Sequence, residues 1–198
     1  MHKKPILLIF LVVFLLAGLM GGCASMSKPS EANFKSPVVT LNYVDVAHYF
    51  GWWYYSPDVE PTKGTAGHNA APLDYAFFFN IENPNSYPIM LESLKFACLV
   101  DGFEINSGYS YEAMWIPAGK TNQLKVEVLF DPRGTMMSLG VVAGQQLKDK
   151  GLTLWSALEK IWTTAPDFDF PVGVTQGSAI FKADGITKGV AFEGMYPK

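Results

Sequence analysis

The residues best suited to bind a metal ion lie between two apolar segments of the sequence. His48, Asp58, Glu60 and His68 are the candidates, because imidazole and carboxylate groups are common metal ligands. Their spacing matches none of the usual ligand motifs, such as two histidines on one helical turn or closely paired cysteines. Asp58 and Glu60 each stand beside a proline in a predicted loop, where water would solvate them. The sequence therefore predicts no metal site and no cofactor.

Catalytic motifs are also absent from the sequence. It contains no Gly-x-Ser-x-Gly elbow, no glycine-rich phosphate loop and no cysteine paired with a nearby histidine. Asp167 and Asp169 attract interest because paired carboxylates can perform acid–base chemistry. They alternate with phenylalanine in PDFDFP, a pattern that is equally typical of a solvated strand edge. We therefore predict that the protein is not an enzyme.

The densest aromatic cluster is GWWYY, residues 51–55. On a strand, Trp52 and Tyr54 would share one face and Trp53 and Tyr55 the other, with one pair in the core and one beneath a loop. The alternative is a surface for a ligand, glycan, partner or lipid interface, because Trp and Tyr combine apolar rings with polar groups. These four residues are the candidate interaction surface.

The N-terminus has the form of an export signal. Lys3 and Lys4 precede an uncharged apolar run that ends in Gly21-Gly22-Cys23. This ending resembles the lipobox of bacterial lipoproteins, in which a diacylglycerol is attached to the cysteine thiol and the chain is cut before it. An uncleaved membrane helix is the alternative. The glycines at its end and the lack of a following basic cluster disfavour that interpretation.

The predicted organisation is a signal peptide at 1–22, a lipidated Cys23 with a flexible tether at 23–36, and one domain at 37–198. Attached acyl chains would hold the domain at a membrane outside the cytoplasm. Ala24-Ser25 after the cysteine resembles outer-membrane sorting, which implies the periplasmic face in a Gram-negative source.

The net charge and the cysteine content limit the classes of partner that are expected. The chain without its signal peptide has a net charge of about −5, so a nucleic-acid partner is not expected. Cys98 has no disulfide partner if Cys23 carries lipid, and in the apolar segment LKFACLV it is predicted to be a core residue. The expected partners are the membrane, through the anchor, and envelope or client proteins.

Period-two alternation is the main structural signal. Tyr75, Phe77, Phe79 and Ile81 share one face of a predicted strand at 74–82. Further strands are predicted at 38–46, 93–100, 109–116, 123–130, 177–183 and 188–196. Short strands at this spacing predict an antiparallel β-sandwich. One or two helices are expected at about 135–163, where Leu158, Ile161 and Trp162 recur at helical spacing.

A corner is predicted at Asn83-Pro84-Asn85, because proline cannot donate to a sheet and asparagine bonds readily to turn backbone. This motif, the turn at Ile116-Pro117-Ala118-Gly119 and the strand through Val126–Val128 occur in a fixed order. That order resembles the late embryogenesis abundant type 2 family, also called the water stress and hypersensitive response domain. The resemblance covers residues 36–130 and, more loosely, 175–196.

The resemblance implies an immunoglobulin-like or fibronectin-like sandwich and a role in tolerance of desiccation, osmotic or cold stress. A domain of this kind at a membrane would protect envelope components or proteins when water is withdrawn. The alternative is an envelope interaction module that binds a specific protein, lipid or glycan. Its binding residues would lie in segments 51–72 and 135–163, which depart from the family pattern, because inserted loops often carry binding residues.

Overall fold

The alternating segments form two antiparallel sheets in the structure, a computed structural model that describes residues 28–52 and 71–197. The first sheet has the strand order β1-β2-β6, with β1 at Val38–Tyr49, β2 at Leu73–Glu82 and β6 at Thr121–Phe130. On the central strand β2, the predicted inward residues Tyr75, Phe77, Phe79 and Ile81 are all buried. The period-two pattern therefore identified the core face correctly.

The second sheet has the order β4-β3-β7-β8, and β5 pairs with the free part of β3. Its strands are β3 (Ile89–Val100), β4 (Phe103–Ser110), β5 (Met114–Ile116), β7 (Val172–Ala183) and β8 (Ile186–Tyr196). The two sheets bury aromatic rings against each other: Phe96 of β3 lies 5.1 Å from Phe77 and 5.2 Å from Phe79 of β2, between ring centroids. The fold is the β-sandwich that the sequence predicts.

Three helices stand where one or two were expected. They are α1 (Pro132–Val142), α2 (Gly144–Asp149) and α3 (Leu154–Thr164), followed by a 3-10 helix at Ala165–Asp167. The first two are separate because Ala143 between them leaves helical geometry, with φ −109° and ψ 7°. Thr153 begins α3 with a reciprocal capping box to Ser156. Within the described residues, no helix is long and apolar enough to cross a membrane.

The sandwich has two distinct ends, and β6 extends from one of them, at Thr121, to the other, at Phe130. The end that contains the Asn83-Pro84-Asn85 corner and the turn at 117–120 is called here the tether pole. The end that contains α1–α3, where the described chain stops at Trp52 and resumes at Ala71, is called the helical pole. At about 3.3 Å per strand residue, the two poles are about 30 Å apart.

The predicted strand at 109–116 is wrong in part. Ser110 ends β4, residues 111–113 leave the sheet, and β5 covers only Met114–Ile116. The reason is the tight turn at Asp101-Gly102, where both residues have positive φ (51° and 78°). Such a turn matches strand twist and returns the chain directly as a hairpin, so β4 begins at Phe103.

Candidate functional site

Asn83 is the centre of the corner at the tether pole, and its side chain is fully buried. The Asn83 Nδ2 group donates to the carbonyls of Tyr87 at 2.8 Å, Ile116 at 3.1 Å and Pro117 at 3.1 Å. Its Oδ1 accepts from the backbone N–H of Asn85 at 2.9 Å and from Asn85 Nδ2 at 3.0 Å. One amide therefore ties the turn after β2 to the end of β5 in the other sheet.

Asn85 extends the network to the chain that precedes β1. Its Oδ1 accepts from the backbone N–H of Lys35 at 2.8 Å, and its Nδ2 donates to the Lys35 carbonyl at 3.0 Å. An asparagine amide presents an acceptor and a donor side by side, as a neighbouring strand does. The Asn85 side chain therefore pairs with Lys35 in place of a β-strand.

Backbone hydrogen bonds complete the joint between the two sequence motifs. The Asn83 N–H donates to the Lys120 carbonyl at 2.9 Å, and the Gly119 N–H donates to the Asn85 carbonyl at 3.0 Å. Gly119 has a φ of 62°, a conformation that favours glycine in this turn. The Asn-Pro-Asn corner and the Ile-Pro-Ala-Gly turn, far apart in sequence, thus form one structure. Pro84 lies half-buried between the two asparagines.

The segment before β1 packs onto the same pole. Phe34 is buried with its ring edge-on to Tyr87, at 6.3 Å between centroids. The Tyr87 hydroxyl donates to Asn33 Oδ1 at 2.9 Å, and Lys188 Nζ donates to the Phe34 carbonyl. Residues 28–36, which the sequence assigns to the tether, are therefore joined to the sandwich through Asn33, Phe34 and Lys35.

The network leaves little of the motif for ligand binding. Both amide nitrogens and both amide oxygens of Asn83 and Asn85 have protein partners, and both side chains are buried. Buried amides with complete hydrogen bonding stabilise one arrangement of the chain. We therefore interpret Asn83, Pro84 and Asn85 as a structural joint.

The helical pole contains the described part of the aromatic insertion. Trp52 is half-buried and its ring lies 5.2 Å from that of Trp155 on α3. The Tyr49 hydroxyl donates to the Trp162 carbonyl at 2.6 Å, and Trp162 Nε1 donates to the Ala71 carbonyl at 2.6 Å. Both described ends of the insertion therefore contact α3. Trp53, Tyr54 and Tyr55 lie outside the described residues, as does Cys23.

The candidate chemical groups are not gathered into a site within the described residues. No cluster of three or more potential metal ligands occurs in 28–52 and 71–197. His48 is exposed, with its Nδ1 3.4 Å from Asp74 Oδ2, whereas Asp58, Glu60 and His68 lie outside the described ranges. Asp167 and Asp169 are both exposed, and Asp167 belongs to the 3-10 helix rather than to a strand.

Sequence reasoning missed three exposed aromatic residues that follow one edge of the second sheet from the middle of β3, where Tyr109 pairs with Lys95, to the tether pole, where Trp115 pairs with Met90. Tyr109, Tyr111 and Trp115 are 66%, 77% and 62% exposed, and the two tyrosine rings lie 5.6 Å apart. These three residues are called here the aromatic surface. A signal was present for Tyr109, since it alternates with Gly108 and Ser110 in GYSYE and would lie on the opposite face of a strand. Gly108 is buried, so Tyr109 points outward, and Tyr111 is exposed just after β4 ends.

Comparison with known proteins gives a family. Residues 78–175 match the family model described as "Late embryogenesis abundant protein". The chain is similar to a crystal structure of a protein from Archaeoglobus fulgidus (9% identity, TM-score 0.39), with 81% of this chain and 92% of that chain covered. It is also similar to the solution structure of a candidate late embryogenesis abundant protein (12% identity, TM-score 0.24), covering 99% and 87%. No curated protein matches the chain.

Proposed function

The chain belongs to the late embryogenesis abundant family, and on that premise we propose that it is a lipid-anchored protein that protects envelope components against water loss. Membership of the family suggests a non-catalytic role in stress. The finer parts of the proposal are the anchor at Cys23, the location outside the cytoplasm and the protective action.

The observation that carries this proposal is the joint between Lys35 and the Asn-Pro-Asn corner. The Asn-Pro-Asn motif holds the chain that leads to Cys23. Its residues therefore attach that chain to the domain and stabilise the fold, rather than perform chemistry. Only residues 24–27 separate Cys23 from the first described residue, Lys28. A lipid on Cys23 would therefore keep the domain close to the bilayer surface.

Protection of this kind requires a domain that stays folded when water is scarce. The core of the sandwich is continuous across both sheets and the helices, and it buries many aromatic rings. Burial of apolar area is the main source of folding stability in such a domain. The negative net charge also favours solubility and discourages self-association of anchored copies.

Anchoring and protection are tested separately. The intact mass of the protein from bacterial membranes should correspond to a chain that begins at Cys23 with attached lipid, and a Cys23→Ser variant should lose that lipid. For protection, the lipidated chain in vesicles is dried with a labile reporter enzyme, beside an unrelated anchored β-sandwich at equal mass. We expect greater recovery of enzyme activity with this protein. Equal recovery would overturn the protective function while leaving the anchor standing.

An interaction module is the second candidate, and the exposed side of α1 favours it. Met137 is 70% and Val141 85% exposed, and their spacing places them on one helical face at the helical pole. Exposed apolar groups in a cluster mark interaction sites. A Met137→Ser, Val141→Ser variant discriminates the two functions. If α1 binds a partner, that binding should be lost in this variant. Protection of the dried reporter enzyme should be unchanged if the protein acts generally.

A further inference from the structure

We propose that the aromatic surface of Tyr109, Tyr111 and Trp115 contacts the interfacial region of the bilayer to which the protein is anchored. This inference rests on the proposed lipid at Cys23. It adds an orientation: the tether pole and the adjoining outer face of the second sheet lie on the membrane, and the helical pole points away from it.

Trp115 is the member of the aromatic surface that is closest to the chain that leads to the anchor, because it pairs with Met90 at the start of β3, whereas Tyr109 pairs with Lys95 in the middle of that strand. Trp115 is followed by Ile116, whose carbonyl accepts a hydrogen bond from Asn83 Nδ2 at 3.1 Å. The same corner holds Lys35 through Asn85. Trp115 is therefore linked by a short path of hydrogen bonds to the chain end nearest Cys23.

The short segment between Cys23 and Lys28 limits how far the tether pole can move from the membrane. Five residue steps separate Cys23 from Lys28, and a fully extended chain of that length spans at most about 18 Å. The helical pole is about 30 Å further along the sandwich. With the lipid inserted, the tether pole is the part of the domain that reaches the interface.

The exposed side chains have the chemistry of an interfacial contact. Trp and Tyr concentrate where apolar chains meet headgroups, because their rings are apolar and their N–H or O–H groups are polar. Lys95 pairs with Tyr109 across β3 and β4, and Lys35 and Lys120 are exposed at the pole, so cations are available for lipid phosphates. Glu112 lies between the aromatic residues and opposes this attraction. The rings, rather than net charge, must therefore supply the contact.

Tryptophan fluorescence tests the proposed orientation. The lipidated protein is placed in vesicles of phosphatidylcholine brominated near the headgroup, which quenches tryptophan at the interface. Trp115→Phe is compared with Trp155→Phe, which removes a partly exposed tryptophan at the helical pole. We expect quenching to fall by more than half in Trp115→Phe and to remain in Trp155→Phe. Circular dichroism checks that both variants are folded, and Trp115→Tyr provides a second variant at the same site.

The outcomes separate this inference from the function on which it rests. If the protein does not float with the vesicles, the anchor is wrong and the orientation fails with it. If it floats but Trp115→Phe is quenched as strongly as the wild type, the anchor stands and the aromatic surface does not contact the bilayer. Loss of quenching in Trp155→Phe instead would place the helical pole on the membrane and overturn the inference.

Discussion

Asn85 and Lys35, 50 residues apart in sequence, pair through two hydrogen bonds: Asn85 Oδ1 accepts from the Lys35 N–H at 2.8 Å, and Asn85 Nδ2 donates to the Lys35 carbonyl at 3.0 Å. The pairing is selective for asparagine, because aspartate lacks the donor and glutamine places its amide one carbon further out. It makes the segment before β1 part of the sandwich, and both proposals depend on that attachment.

Loss of the Asn83 side chain should be strongly destabilising. Asn83→Ala leaves the buried Tyr87 and Ile116 carbonyls and the partly buried Pro117 carbonyl without this donor, and it removes the acceptor for Asn85. Unsatisfied buried groups are costly, so we expect the free energy of unfolding to fall by about 2–4 kcal/mol. Urea denaturation followed by circular dichroism measures the change.

Asn106→Ala is the matched control for this prediction. Its side-chain N–H donates to the Leu129 carbonyl at 2.9 Å in an exposed position, where water can replace the bond. We expect a cost of less than about 1 kcal/mol. Equal costs for the two variants would show that the corner is no more important than a surface hydrogen bond.

Gly108 is required because the ring of Phe96 lies against its Cα. A Cβ at this position would lie 2.4 Å from Phe96 Cζ and 2.8 Å from Val128 Cγ2. Gly108→Ala should therefore destabilise the protein by about 1–3 kcal/mol through overpacking. A thermal melt measures it against Gly144→Ala, where nothing lies within 4 Å. That control should be neutral or stabilising by up to ~1 kcal/mol, since alanine favours helix. A tolerated Gly108→Ala would mean that β4 can move away from the core.

The sequence predicted the sandwich because its central strand keeps a strict period of two. Tyr75, Phe77, Phe79 and Ile81 could be assigned to the core without any partner strand being known. The Phe103–Ser110 strand was largely missed, because its glycine and polar residues break the pattern. The pairing that makes them a strand comes from β3, which is a non-local contact.

The Tyr75 hydroxyl is buried without a hydrogen-bond partner in the described part of the chain. Tyr75→Phe removes this group, so stability should stay equal or rise by up to ~2 kcal/mol. Tyr49→Phe is the comparison, because the Tyr49 hydroxyl donates to the Trp162 carbonyl at 2.6 Å. That variant should lose about 1 kcal/mol. A large loss in Tyr75→Phe would reveal a partner for its hydroxyl.

Alkaline pH should destabilise the fold through two buried acids. Burial raises the pKa of the Cys98 thiol, with a further contribution from Glu104, and burial also raises the pKa of Tyr75. Both pKa values are higher in the folded state than in the unfolded state, where they are about 8.5 for cysteine and 10 for tyrosine. The protein therefore has its full stability below these unfolded-state values and loses stability as the pH rises beyond them. Each group then contributes a slope of about 1.4 kcal/mol per pH unit.

Urea midpoints between pH 8 and 10.5 measure this loss. A Cys98→Ala, Tyr75→Phe variant should show a smaller decline than the wild type over the same range. The comparison uses the slope, so any change in absolute stability from the substitutions does not affect it. Parallel declines would show that other groups, such as Tyr49 and Tyr87, whose pKa values are also raised, dominate the alkaline transition.

The candidate site was only partly readable from sequence. Asn83 and Asn85 could be recognised as turn formers, but their bonds to Ile116 and Lys35 depend on how the two sheets meet. Exposure was the harder problem. The GWWYY segment made Trp52 a candidate for an exposed residue, but Trp52 packs on Trp155. Trp115, in the short strand β5, is the more exposed ring. Aromatic content does not separate core from surface when both faces of a strand are apolar.

Hydrogen exchange at the Lys35 amide tests the central claim most directly, because both the anchored orientation and the structural role of the motif require this segment to be part of the rigid domain. In the lipidated protein, the Lys35 N–H donates to Asn85 Oδ1 and should exchange as slowly as amides of β1. In Asn85→Ala, that protection should be lost while the amides of β1 remain protected. Rapid exchange of Lys35 in the wild type would contradict the account, because the anchor would then lead to a freely moving tether.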